Sequence, residues 1–312
     1  MSQSNYSNKM ICSLTSILTQ ANKFHEVLSK DDLWSSCYGN DYLSMLYLAD
    51  LHNPWLQNKL FFDIDANKGY TIASWLSIWM PEKNVDPKSL YKYLSHILKI
   101  NDCGVCSDCN ETILNTVQIN NPTYKRLTIH AFEPMKSTYE ILDQVRTWMN
   151  LSTLYVHQLA ISNSTGTANM KKCPAGGEVC GLITNDDTAR NDKVFQTPTV
   201  TLDDFIEQKK IQQKIDLLKI DTEGAHPLAL QGAKKLFSRK QIIRLLIFEN
   251  HGISTWKTTS LLTVIDFLGK EGFICYMLGK TGLARLTNCW SPVFEVKSWS
   301  NVLCVHREEE HL

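Results

Sequence analysis

Acidic side chains stand at the ends of four apolar runs in this chain. "KLFFDIDANKG" closes with Asp63, Asp65 and Asn67 before Gly69, and "LTIHAFEP" closes with Glu133. "IDLLKIDTEG" closes with Asp221 and Glu223, and "IIRLLIFENH" with Glu249, close to His251. Like charges gathered on one rim cost free energy unless a ligand, a cation or hydrogen-bond donors compensate them. Two kinds of chemistry suit such a rim. An ionised carboxylate accepts two hydrogen bonds at once, so Glu133 suits the paired hydroxyls of a ribose. A carboxylate or a neutral imidazole beside a bound nucleophile can take its proton, a role open to Asp221, Glu223 and His226. The same two acids also suit a helix N-terminus, where carboxylates are favoured.

A rim of this kind needs strands that end together. Leu60–Ile64, Leu127–Phe132, Leu154–Ile161, Ile215–Ile220 and residues 242–249 read as strands. Helical spacing follows most of them, as in Ile72, Trp75, Leu76 and Trp79 or Ile141, Leu142, Val145, Trp148 and Met149. Strands alternating with helices predict a mostly parallel sheet covered on both faces, whose ligands lie beyond the carboxyl ends of the strands. "GFICYMLG", "LARLTNC" and "SNVLCVH" lack helices between them and predict an antiparallel edge. Residues 1–58 read as a helical extension, 59–312 as the main domain, 81–126 as an insertion within it, and 162–193 as a hairpin plus loop.

The composition sets limits. Lys plus Arg is 32 and Asp plus Glu is 32, so net charge favours neither nucleic acid nor an anionic membrane. No apolar run is long enough to span a bilayer. Ten cysteines, mostly scattered, suit reduced thiols and a cytoplasmic location. Cys103, Cys106 and Cys109 are spaced to give three ligands to a structural zinc, with a fourth from His96, Cys173 or Cys180.

"DIDANKG" holds one glycine where a pyrophosphate cradle wants three, which disfavours a dinucleotide. A nucleoside with a cationic centre needs no such cradle, and an acidic rim suits its charge; S-adenosyl-L-methionine fits that description. The motifs "FFDIDANKGYTI", "AFEP", "AISNSTG", "TLDDFI", "IDLLKIDTEGAHPLALQGA" and "LLIFENHG" together resemble the FkbM-type S-adenosylmethionine-dependent methyltransferases over residues 60–305. The resemblance implies a Rossmann-like methyltransferase sheet and methyl transfer, usually to a hydroxyl of a sugar or similar small molecule. It assigns Asp63, Asp65, Asn67 and Gly69 to the loop under the cofactor's amino acid part, Glu133 to the ribose, and Ser162 or Asn163 to the adenine side. Asp221 and Glu223 then face the transferring methyl. Two departures stand out: Asp65 replaces a glycine of the family pattern, and His226 with Pro227 stands where an acid is common. The alternatives are a methyltransferase-like binding or scaffold module without activity, and a metal-dependent enzyme in which Asp221, Glu223 and Glu249 hold a divalent cation.

Overall fold

The computed structural model describes residues 12–28, 58–103, 126–178, 180–183, 194–239, 242–279 and 282–307. Helix α1 (Leu14–Leu28) comes first, then strand β1 (Asn58–Ile64). Alternate side chains of β1 point to opposite faces, so Leu60, Phe62 and Ile64 enter one core and Phe61 the other. Helix α2 (Tyr70–Trp79) covers that second core, its Trp75 and Trp79 packing edge-on against Phe61 at 5.1 and 5.0 Å. Helix α3 (Pro87–His96) starts at a reciprocal cap, Asp86 accepting from the Ser89 N–H and the Ser89 hydroxyl accepting from the Asp86 N–H.

Strand β2 (Arg126–Phe132) leads into helix α4 (Lys136–Met149), which buries Ile141, Leu142, Val145 and Met149. Short strands β3 (Leu154–His157) and β4 (Ala160–Ile161) precede β5 (Gly166–Lys171) and β6 (Val194–Val200). Helix α5 (Leu202–Gln208) is capped by the Thr201 hydroxyl. The next unit is β7 (Ile215–Ile220) with helices α6 (His226–Gln231) and α7 (Lys234–Ser238). The chain closes with β8 (Ile243–Asn250), α8 (Leu261–Lys270), β9 (Phe273–Gly279), β10 (Gly282–Arg285) and β11 (Ser300–His306).

Eight of these strands form one sheet in the order β10-β9-β11-β8-β7-β1-β2-β3. Strands β3, β2, β1, β7 and β8 are parallel, while β11, β9 and β10 make the antiparallel edge. This is the expected mostly parallel α/β sheet of Rossmann type. Its helices bury two large apolar layers, one on each face.

Three expectations need correction. Residues 154–161 are not one strand: β3 ends at His157, and β4 leaves the main sheet to pair with β6 in a second sheet of order β4-β6-β5. The helix after β7 comes in two pieces, interrupted at Gly232, where a Cβ would sit 2.0 Å from the Ser162 carbonyl oxygen. The cysteines among the described residues are not free thiols: Cys12 pairs with Cys289, Cys173 with Cys180 and Cys275 with Cys304, and Cys103 is also disulfide-bonded. A zinc site built on Cys103 with Cys173 or Cys180 therefore lacks its thiolates, since the sulfurs are already bonded. Cys106 and Cys109 lie outside the described residues. Of the expected N-terminal extension, the described part is 12–28, held to the main domain by Cys12–Cys289 and by a Cys12 N–H to Asn288 carbonyl bond. Among the described residues, no helix is long and apolar enough to cross a membrane.

Candidate active site

Strand register builds the site. Ile64 lies opposite both Phe132 and Ile220, and Ile220 opposite Phe248, so β1, β2, β7 and β8 end in nearly one row. The residues that follow, Asp65, Glu133, Asp221 and Glu249, are thereby brought to one edge.

The centre of that edge is a buried ammonium. Asp63 pairs in register with Lys219, and Lys219 Nζ lies 3.1 Å from Asp63 Oδ1 and 3.1 Å from Asp221 Oδ2. Burial alone would lower the Lys219 pKa, but the two carboxylates more than reverse this and raise it above the usual lysine range. Burial likewise pushes Asp221 up, yet Lys219 first and then the neighbouring His226 hold it well below its ordinary value. Asp63 is raised, burial outweighing Lys219. Lys219 went unassigned in the sequence, although a lysine inside the apolar run "IDLLKI" was a visible signal.

Glu133, 2% exposed, is held from both sides: Oε1 accepts from the Met135 N–H at 2.9 Å and Oε2 from the Asn67 N–H at 3.2 Å. Each oxygen keeps a second lone pair for a ligand hydroxyl. Burial raises its pKa to about 7 against those hydrogen bonds. Asp65 sits beside it in the left-handed region, φ 67°, where a glycine is at ease and an aspartate is tolerated. Burial, then the charges of Glu133, Asp221 and Glu223, push its carboxyl well up.

Glu223 and Gly224 both take positive φ, 46° and 93°. A Cβ at Gly224 would meet Ser254 Cβ at 2.7 Å, so only glycine lets this turn pass so near the loop after β8. Glu223 is pushed up to about 10 by burial and then by Asp221, Glu249 and Glu178. His226 is fully buried, its Nδ1 facing the Trp256 indole N–H at 3.2 Å and its Nε2 the Thr222 N–H at 3.1 Å. It stands behind Asp221 and Glu249, 3.9 and 3.6 Å from their oxygens.

A small cleft opens at this edge, lined by Asp65, Pro134, Ala160, Ile161, Met170 and Thr222 among others, with Cys180–Leu182 along one side. The strap from Cys173 to Ile183 closes over the first turn: Asn67 Nδ2 donates to the Gly177 carbonyl, and the buried Lys68 ammonium reaches the Gly176 carbonyl, Asp102 and Glu178. Of the assigned residues, Asp65 is the one in the lining of this cleft. The Cβ position of Gly69 faces Leu142 and Val145 of α4, and Ser162 packs under Gly232.

The donor set can be tested against S-adenosyl-L-methionine. Asn67 Oδ1, Asp221 Oδ1 and Thr222 Oγ1 are buried at this edge without a hydrogen-bond partner. Acceptors outnumber the available protons there, as hydroxyls, an amino group and a positive sulfur would require. The residues fit.

The Methyltransferase FkbM domain matches residues 63–275. Among solved structures, a methyltransferase FkbM from Methylobacillus flagellatus aligns at 14% identity and TM-score 0.43, covering 93% of this chain and 53% of that one; the chain thus spans about half its length. TrmK of M. capricolum, solved with S-adenosyl-homocysteine, aligns at 12% identity and TM-score 0.34 over 85% of this chain and 67% of that one. The O-methyltransferase TomG from Streptomyces achromogenes, solved with SAM, aligns at 10% identity and TM-score 0.34 over 96% and 93%. No curated protein matches at a significant level. With the family domain spanning more than half of its residues, the chain belongs to the FkbM methyltransferase family.

Proposed function

We propose that the protein is an S-adenosyl-L-methionine-dependent methyltransferase that methylates a hydroxyl oxygen of a sugar or similar small molecule. The observation that carries this is the row of carboxylates set by the register of β1, β2, β7 and β8 around the buried ammonium of Lys219. S-adenosyl-L-methionine, when bound, supplies a methyl group on a positively charged sulfur. Glu133 would hold the ribose hydroxyls, its plane fixed by the Met135 and Asn67 amides. Asp221 stays ionised beside Lys219 and favours positive charge in the cleft. Asp221, ionised, would orient the acceptor hydroxyl and take its proton, and Glu223, pushed up to about 10, would do so only in its ionised form. His226, fully buried, stands behind Asp221 and Glu249 as a positioning residue.

The cleft is far smaller than the ~300–1,000 Å³ usual for small-molecule sites. The Cys173–Ile183 strap must therefore yield as the donor enters. Zero formal net charge supports a small-molecule acceptor over a nucleic acid. The cytoplasmic expectation rested on reduced thiols, and the paired sulfurs withdraw that support, because disulfides persist in oxidising compartments.

Calorimetric titration with S-adenosyl-L-methionine tests the reading. Binding that weakens in Glu133→Ala supports it; no binding at millimolar donor leaves the chain a methyltransferase-like binding module, for which Asp65 in place of glycine would be the reason. A methyl-donor assay over sugars and phenols then identifies the acceptor.

A further inference from the structure

The rim around Glu249 holds a feature that a sulfonium donor does not use. Glu249 ends β8 and is 5% exposed. The Trp299 indole N–H donates to its Oε1 and fixes the carboxylate plane, while Oε2 accepts no hydrogen bond despite its burial. Around that oxygen stand further ligand atoms. His251 Nε2 is 3.4 Å away, and one ligand atom each from Glu223, Glu249 and His251 lie within 4.8 Å of one another. Asp221, His226 and Glu249 make a second such group. In that group, however, both His226 nitrogens already face N–H donors from Thr222 and Trp256. His251, with 17% of its side chain exposed, has no such commitment and lies where an ion can arrive.

We propose that Glu223, Glu249 and His251 form a binding site for a divalent first-row cation beside Asp221. Two carboxylate oxygens and one imidazole nitrogen are a mixed donor set of the kind such ions accept. Bonds of about 2.0–2.2 Å put ligand atoms roughly 3–4 Å apart, so small rotations of Glu223 and His251 close the set. Trp299 is the outer partner that orients a ligating carboxylate. Nearby positive charge is already engaged, since Lys219 bridges Asp63 and Asp221. Three protein ligands leave coordination positions open, and these suit an acceptor with two adjacent oxygens, a vicinal diol or a hydroxy acid, more than a lone alcohol. That acceptor class rests on the methyltransferase reading; the ion site does not.

The test is a titration of the full chain with Mn²⁺ alone, followed by the electron paramagnetic resonance of the free aqueous ion. One ion per chain is expected. His251→Ala and Glu249→Gln should each weaken binding at least tenfold, while Glu140→Gln, on the exposed face of α4, should leave it unchanged. Should Glu249→Gln not fold, His251→Ala decides the matter. No bound ion at millimolar Mn²⁺, or wild-type affinity in His251→Ala, overturns the site. Calorimetry with S-adenosyl-L-methionine on the same samples separates the two readings: donor binding without ion binding sinks the cation site alone, and ion binding without donor binding sinks the methyltransferase reading alone.

Discussion

Strands β1 and β7 each carry one buried lysine and buried acid, and they pair crosswise at the two ends of the sheet. At the amino end, Lys59 of β1 meets Asp216 of β7 at 3.7 Å, and Asp216 also accepts from the Leu60 N–H at 2.9 Å. At the carboxyl end, Lys219 of β7 meets Asp63 of β1, and then Asp221, with Asp65, Glu133, Glu223 and Glu249 close by. At the first end a buried cation faces a buried anion. The second has a surplus of carboxyl groups. The difference teaches where a ligand belongs: uncompensated charge is tolerated where something else is to neutralise it.

Removing each lysine tests the comparison most severely. Lys219→Met leaves Asp63 buried without its cation and should cost about 3–5 kcal/mol in urea denaturation, together with loss of donor binding. Lys59→Met should destabilise as well, yet the fraction that folds should bind the donor with wild-type affinity. Donor binding lost in folded Lys59→Met would erase the distinction between the two ends.

Glu133→Gln comes next. Donor affinity should fall about tenfold to a hundredfold, as expected for hydrogen bonds to a charged acceptor worth about 1.5–3 kcal/mol, with little change in Tm. A change in Tm alone would make Glu133 a structural residue that holds the Asn67 and Met135 amides.

The surplus also dictates a pH dependence. Glu133 and Glu223 are raised from 4.5 to about 7 and about 10. A raised carboxyl binds its proton more tightly in the folded state, so its contribution is complete below pH 4.5 and is lost as pH rises toward the folded value. Between about pH 4 and 6.5, His130 and His157, lowered from 6.5 to about 4 by burial, act in the opposite direction, so the ligand-free protein should lose Tm from about pH 6.5 upward, through 7 and toward 10. Glu223→Gln should flatten the upper part of that decline, as should Mn²⁺ or donor. Equal slopes in wild type and variant would remove Glu223 from the crowded rim.

Asp65→Gly should act more gently. It relieves about 1–2 kcal/mol of left-handed strain, offset by the extra freedom of an unfolded glycine, and removes one carboxyl from the rim. Stability should change by less than about 1 kcal/mol, and donor affinity should rise a few-fold, measured by calorimetry. Least disruptive is a thiol titration of the unreduced, denatured chain. It should find no more than two free thiols, because three disulfides take six of the ten cysteines and the bond to Cys103 takes two more.

Much of this was written in local pattern. Periods of two and 3.6 in the apolar residues mark β1, α2, β2, α4, β7, β8 and α8 within a residue or two, because burial on one face imposes those periods. Acids just past the strands mark the rim. Short elements were not so legible. β4 read as the tail of one strand and β6 was not read as a strand, since two or seven residues of mixed polarity carry no distinct period.

The sequence by itself determined the parallel α/β sheet, the acidic residues at its strand ends and the glycine at position 224, for each follows from local spacing or local backbone need. Only the tertiary structure decided that Lys219 bridges Asp63 and Asp221, that Trp299 fixes Glu249, that Trp256 faces His226, and that sulfurs far apart in the chain are bonded. Those contacts depend on strand register and loop closure, which set neighbours across long sequence separations and leave no periodic trace in the chain.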